Sequence, residues 1–201
     1  MSEALFELDA IPDKSQRSVA GVGSGRAQSH DWITPKFIID ALGPFDLDVC
    51  ESPTQPWPCA KFGYVLPMDG LNEKWNGRVW CNPPYSVHAA AWLAKMRRHG
   101  QGTALIFART ETEMFFEHVW GGASALLFLE GRLHFHYPDG VRADANCGGP
   151  SVLIAYGERD AQKLEQSGLS GALGRTVRLM RSEPTTPLLF PCINSGGGPA
   201  I

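Results

Sequence analysis

The sequence predicts an α/β protein: one domain on an open, mostly parallel sheet with crossover helices and an antiparallel strand at its C-terminal end. Three observations carry this reading. Short runs rich in branched residues alternate with segments of helical period, as strands alternate with crossover helices. A strand-like Arg78-Val79-Trp80-Cys81 is stopped at Pro83-Pro84, because proline has no N–H to give a ladder. Late in the chain, a Pro138-Asp139-Gly140 turn precedes the apolar run 151–156, which favours antiparallel pairing there.

The elements follow in order. Residues 35–42 form a first helix, with Thr34 placed to cap it and Pro35 at its first position, where a missing N–H costs nothing. Residues 45–49 make a strand, 61–66 a second and 78–81 a third. Residues 87–98 read as a helix that turns Ala89, Ala90, Trp92, Leu93 and Met96 to the sheet. Residues 103–108 are the clearest buried strand, 111–120 a helix after it and 123–129 another strand. Residues 133–137 then lead through the turn and Cys147-Gly148-Gly149-Pro150 to the strand 151–156.

With 201 residues and 43% hydrophobic composition, the chain suits one well-buried domain and not two. Residues 1–28, which include Val19-Ala20-Gly21-Val22-Gly23-Ser24-Gly25-Arg26, are expected to be a flexible arm. Residues 183–201, broken by Pro184, Pro187, Pro191 and Gly196-Gly197-Gly198-Pro199, are expected to be a flexible tail. That leaves 29–182 as the folded domain.

Charge and cysteine use narrow the function classes. The 18 basic and 21 acidic residues sum to -3, so no global field draws the chain onto a polyanion. That argues against a protein that coats nucleic acid through phosphate neutralisation more than against an enzyme that engages it through a local basic face. The cysteines at 50, 59, 81, 147 and 192 form no Cys-x-x-Cys pair, and the N-terminus has no signal-peptide core, so reduced thiols in a cytoplasmic setting are expected. No run approaches eighteen apolar residues, so no membrane span is expected.

The chemistry concentrates at Asn82-Pro83-Pro84-Tyr85, directly after a strand and before a helix. An exocyclic amino group on a planar ring is a poor nucleophile, because its lone pair is delocalised. Acceptors aimed at its two hydrogens free that lone pair for attack on a methyl sulfonium. The Asn82 side-chain carbonyl supplies one acceptor and the backbone carbonyl of the next residue the other, in a turn that two prolines stiffen. The Tyr85 ring is placed to stack on the planar substrate, a contact worth roughly 1–3 kcal/mol. Ligands of open α/β sheets sit beyond the carboxyl ends of strands, which is where this tetrapeptide falls. The bland reading is a rigid loop, with Asn82 a turn residue and Tyr85 a packing ring.

Five blocks in order resemble the phage-type Dam-like DNA N-6-adenine methyltransferase family: Asp31-Trp32-Ile33-Thr34-Pro35, Phe45-Asp46-Leu47-Asp48-Val49-Cys50-Glu51-Ser52, Asp69-Gly70-Leu71, residues 75–86 and Gly131-Arg132-Leu133-His134-Phe135. The resemblance covers residues 31 to about 156. It implies a single Rossmann-like S-adenosylmethionine-dependent methyltransferase domain, S-adenosylmethionine as cofactor and adenine in DNA as substrate, with Asn82, Pro83, Pro84 and Tyr85 as the catalytic motif. It also implies that Thr34, Pro35 and Asp48 flank the methionine end of the cofactor, the Asp48 carboxylate suiting its ammonium group.

The sequence departs from the usual methyltransferase pattern after the first strand, where Asp48-Val49-Cys50-Glu51-Ser52-Pro53 has no Gly-x-Gly. The short stretch from Asp48 to Asn82 further implies a trimmed cofactor half. Asp69 is a candidate for the ribose hydroxyls or adenine amino group, although an Asp-Gly pair also makes a plain turn. Arg109 and Arg132 are candidates for phosphate or cofactor contact, whereas Arg97 and Arg98 suit a helix C-terminus. His134 and His136 share a face in a strand, but no further ligand stands nearby and no metal is expected. Two other functions stay open: the same fold acting on RNA or a protein glutamine, and a catalytically dead nucleic-acid-binding module. Oligomeric state is not legible.

Overall fold

The structure, a computed structural model, describes residues 32–84 and 89–175. The expected arm, residues 1–28, and the expected tail, residues 183–201, lie outside these, as does Tyr85. Seven strands make one sheet: β1 (Phe45–Asp48), β2 (Ala60–Gly63), β3 (Val79–Cys81), β4 (Gly102–Phe107), β5 (Ala125–Leu129), β6 (Ser151–Tyr156) and β7 (Gly171–Gly174), in the order β2-β1-β3-β4-β6-β5-β7. β2, β1, β3 and β4 are mutually parallel. β6 lies antiparallel between β4 and β5, and β7 pairs antiparallel with β5 at the edge. The chain is therefore a mixed α/β protein with a parallel half, and two strands are reversed where one was expected.

Side chains alternate across the strands, and each face has its own core. On one face, Leu105, Leu153 and Ala155 pack with Ile38, Ile39 and Leu42 of α1 (Lys36–Leu42) and with Ala161 and Leu164 of α3 (Glu158–Gln166). On the other, Ala104, Ile106, Val152 and Ile154 meet Trp92, Leu93 and Met96 of α2 (Ala89–His99), together with Phe115 and Val119.

Several local expectations are corrected. Thr34 does not cap α1: Pro35 is the N-cap, its ring fixing φ at -54° with ψ at 132°, and no side chain bonds the first turn. β2 stops at Gly63 rather than at position 66, ahead of Pro67. The helix expected over 111–120 is present but shorter, and it is a π-helix, Phe115–Trp120. Its wider turn brings the Phe115 and Trp120 rings to 4.9 Å, and the Trp120 indole donates to the Thr110 carbonyl at 3.2 Å. Residues 133–137 form no strand of the sheet; Tyr137 N–H to Val141 O, Ala143 N–H to Phe135 O and Cys147 N–H to Leu133 O fold 133–147 into a separate excursion. α3 and β7 answer to no expectation.

The topology positions the site. From β1 the chain steps outward to β2, then returns to β3 on β1's other side, so the C-terminal ends of β1 and β3 flank a switch point. Residues 49–59 and 64–78 cross without a helix, so this half of the fold is as trimmed as its length requires. No helix of the described residues is long and apolar enough to cross a membrane.

Candidate active site

Asp48 closes β1 and is 3% exposed. Burial pushes its carboxyl up to about 7; the Cys50 N–H, 3.1 Å from Oδ1, opposes this, and the Glu51 charge adds to it. Asp48 pairs in register with Trp80, so Asn82 stands just past β3 on the adjoining side of the switch point. The two are linked through Cys50: burial pushes its thiol well up, keeping it protonated, and the Asn82 backbone N–H meets its sulfur.

The Asn82 amide is oriented by one bond. Nδ2 donates to the Trp32 carbonyl at 3.2 Å, which leaves Oδ1 facing away, sealed from solvent and without a partner. Pro83 is buried and Pro84 exposed, so the turn is anchored on one side and open on the other.

Residues 32–35 form the adjoining wall. Ile33 exchanges two backbone bonds of 3.0 Å with His136, which ties the excursion 133–147 to this edge. The buried Thr34 gives its carbonyl to the Trp57 indole at 3.1 Å, and the Trp57 ring stands edge-on to His136 at 5.0 Å. Burial, with Arg142 beside it, holds His136 below the ordinary histidine value.

Four buried side-chain polar atoms among the described residues lack a hydrogen bond: Gln55 Nε2, Arg78 NH2, Asn82 Oδ1 and His136 Nδ1. Arg78 NH2 is ion-paired at the far end of the sheet. The other three all belong to the segments that meet here. Native proteins leave few buried polar atoms unpaired, so bonding capacity is left open where these segments meet.

Residues 24–163, well over half the chain, match the family model for DNA N-6-adenine-methyltransferase (Dam). The chain belongs to the Dam family. No curated protein and no solved structure matches it.

In this Dam-family chain the expected site residues separate into three groups. Asn82, Pro83, Thr34, Pro35 and Asp48 gather at the C-terminal ends of β1 and β3, with Pro84 at the open side of the turn. Asp69 turns inward on its own loop: its oxygens accept the Leu71 N–H and the Asn72 amide, both at 2.9 Å. That loop abuts β1, since a Cβ on Gly70 would stand 2.0 Å from the Val49 carbonyl. Lys95 holds it in place by donating to the carbonyls of Gly70, Leu71 and Glu73.

Arg109 and Arg132 are exposed, on the segments after β4 and β5. Both strands run in the direction of β1 and β3, so these arginines rim the same edge of the sheet.

Sequence reasoning passed over Gln55 and Trp57, and considered His136 only for a metal. The signal for the first two was a loop with polar side chains in the position of the absent Gly-x-Gly.

The buried carboxyl makes stability depend on pH. Between the ordinary value of 3.8 and about 7, the folded chain keeps a proton on Asp48 that the unfolded chain has lost. Stability therefore falls as pH rises through that window and loses no more above it. Asp48→Asn removes this cost, so its advantage over the wild type should grow between pH 4 and pH 8, by on the order of 2–4 kcal/mol. Urea unfolding of both chains at the two pH values measures it, and a pH-independent gap would contradict a carboxyl titrating in this window.

Proposed function

We propose that this chain is an S-adenosylmethionine-dependent methyltransferase acting on the 6-amino group of adenine in DNA, through a Rossmann-like domain over residues 29–182. The observation that carries the reading is Asn82 Oδ1: a buried acceptor with no partner, oriented by the Trp32 carbonyl, just past a parallel strand at the switch point. A carbonyl so held is preorganised to take a hydrogen from an incoming amino group.

The donor set fits the cofactor, with a buried carboxylate at the end of β1 and an orphaned amide nitrogen in the loop that follows. Thr34, Pro35, Asp48 and Asp69 would hold it. When bound, S-adenosylmethionine supplies an electrophilic methyl group. Asn82 Oδ1 and the Pro83 carbonyl would accept hydrogen bonds from the two amino hydrogens, which would draw the nitrogen lone pair out of the ring system and leave it available to that electrophile. Tyr85 stacks on a base lifted from the duplex, which has lost its neighbours. Tyr85→Phe should therefore keep most of the methylation rate and Tyr85→Ala lose roughly 10-fold or more, as a stacking contact predicts; equal losses in a DNA methylation assay would point instead to the hydroxyl. Arg109 and Arg132, exposed at the same edge of the sheet, would contact phosphates of the bound strand.

Mapping methylated adenines by sequencing DNA from cells that express the chain, in a host without adenine methylation of its own, tests the function. Modified adenines in a fixed sequence context are the expected result. Unmodified DNA alongside methylated RNA or glutamine would replace the substrate. Unmodified DNA with no affinity for S-adenosylmethionine would identify a dead binding module.

A further inference from the structure

The loop over residues 49–59 stands where backbone glycines would ordinarily approach the cofactor, and it carries none. In their place it presents Gln55, whose backbone N–H is tied to the Ser52 carbonyl at 3.3 Å. Its side chain reaches the Asp48 carboxyl and, as a hydrogen-bond partner, helps hold its pKa down, yet its Nε2 is sealed from solvent without a well-aligned bond. The Trp57 indole, two residues on, is pinned to the Thr34 carbonyl, so the loop is held against the wall formed by residues 32–35.

A buried amide donor without a well-aligned acceptor thus sits next to a buried carboxyl that has hydrogen-bond donors but no cation. Each is costly, since a poorly bonded buried amide, or a buried carboxylate with no counter-charge, recovers only part of the hydration it forfeits. Together they are the complement of an α-amino acid: a carboxylate site for the ammonium and an amide N–H for the carboxylate.

We propose that Gln55 is a cofactor-binding residue that donates from Nε2 to the carboxylate of the methionine end of S-adenosylmethionine, while Asp48 takes its ammonium group. The assignment rests on the cofactor reading given above and adds to it the residue that reads the carboxylate. It also explains how the loop dispenses with glycine. Backbone amides that would have approached the ligand are replaced by one side-chain amide of longer reach.

Decarboxylated S-adenosylmethionine, which keeps the ammonium and sulfonium but lacks the carboxylate, isolates this contact. Calorimetry on the 201-residue chain compares it with S-adenosylmethionine itself, for the wild type and for Gln55→Met, which keeps the side-chain volume and removes the donor. The variant should bind S-adenosylmethionine about 10–100-fold more weakly, the range for a hydrogen bond to a charged group, and decarboxylated S-adenosylmethionine with unchanged affinity. Circular dichroism establishes that the variant is folded, and Gln55→Ala serves in its place if it is not. Equal weakening toward both ligands, or none toward either, overturns the role of Gln55 and leaves the cofactor reading standing. A wild-type chain that binds neither ligand overturns the cofactor reading, and this assignment with it.

Discussion

Asp160→Ala is expected to lower the free energy of unfolding by about 3–5 kcal/mol, the cost of stranding one partner of a buried ion pair. Arg78 and Asp160 have side chains only 2% exposed. Arg78 Nε donates to Asp160 Oδ1 at 2.9 Å, NH2 stands 2.7 Å from the same oxygen without hydrogen-bond alignment, and the Thr103 hydroxyl donates to it at 2.8 Å. NH1 donates to the carbonyls of Leu42 and Pro44, and the guanidinium lies 4.1 Å from the centre of the Phe45 ring. Removing the carboxylate leaves a full positive charge in this enclosure with only carbonyl dipoles and the Phe45 ring to answer it, and the Thr103 hydroxyl loses its acceptor. By contrast Asp40→Ala, which breaks the exposed Lys36–Asp40 pair at 2.6 Å, should be close to neutral, because water and salt already screen that contact. Urea unfolding of the two variants reads the difference. A loss below about 1 kcal/mol for Asp160→Ala would mean that the enclosure relaxes to hydrate Arg78. The double change Arg78→Met with Asp160→Leu, which replaces both charges by apolar side chains, should recover much of the loss, since the penalty lies in the unpaired charge.

The same pair shows where sequence reading stops. Arg78 was legible only as the first residue of a strand, because its partner is 82 positions away on α3. α3 itself left a faint trace: its buried face consists of Asp160, Ala161 and Leu164, so only two apolar positions mark it as a core helix. β7 is exposed throughout and has glycine at both ends, the composition least suggestive of a strand. The π-helix has no signature, since Phe115 and Trp120 meet only once the wider turn exists.

What was legible was local and periodic: β1, β3, β4 and β6 were each placed to within a residue or so, because buried strands announce themselves as short apolar runs or, in β1, as the alternation Phe45-Asp46-Leu47-Asp48. Asp48 and Asn82 could then be put at strand ends, though not beside each other. Their adjacency needed the pairing of β1 with β3, and that is decided by the whole sheet. The burial of Gln55 and His136 was illegible for the same reason, since it is imposed on single polar residues by segments distant in sequence.

Asn82→Ala should reduce methyl transfer by roughly 10²–10³-fold or more while leaving affinity for S-adenosylmethionine within a few-fold of wild type. The two polar atoms of the amide differ in what they do in the free protein. Nδ2 spends its bond on the Trp32 carbonyl, so the substitution loses one ordinary hydrogen bond, about 1 kcal/mol. Oδ1 is buried and unpaired, so its removal relieves a desolvation cost of similar size. The two nearly cancel, and the variant should unfold at close to the wild-type urea concentration. On the proposed function, the stability that a better-satisfied side chain would have provided at position 82 would be recovered when an amino group binds, the arrangement expected of an acceptor built for a reaction and not for the fold. Rates of labelled methyl incorporation into DNA, cofactor calorimetry and unfolding on one preparation give the three readings together. Loss of cofactor binding along with the rate would move Asn82 into the cofactor site, and a marked loss of stability would make Oδ1 a structural acceptor whose partner lies within the chain.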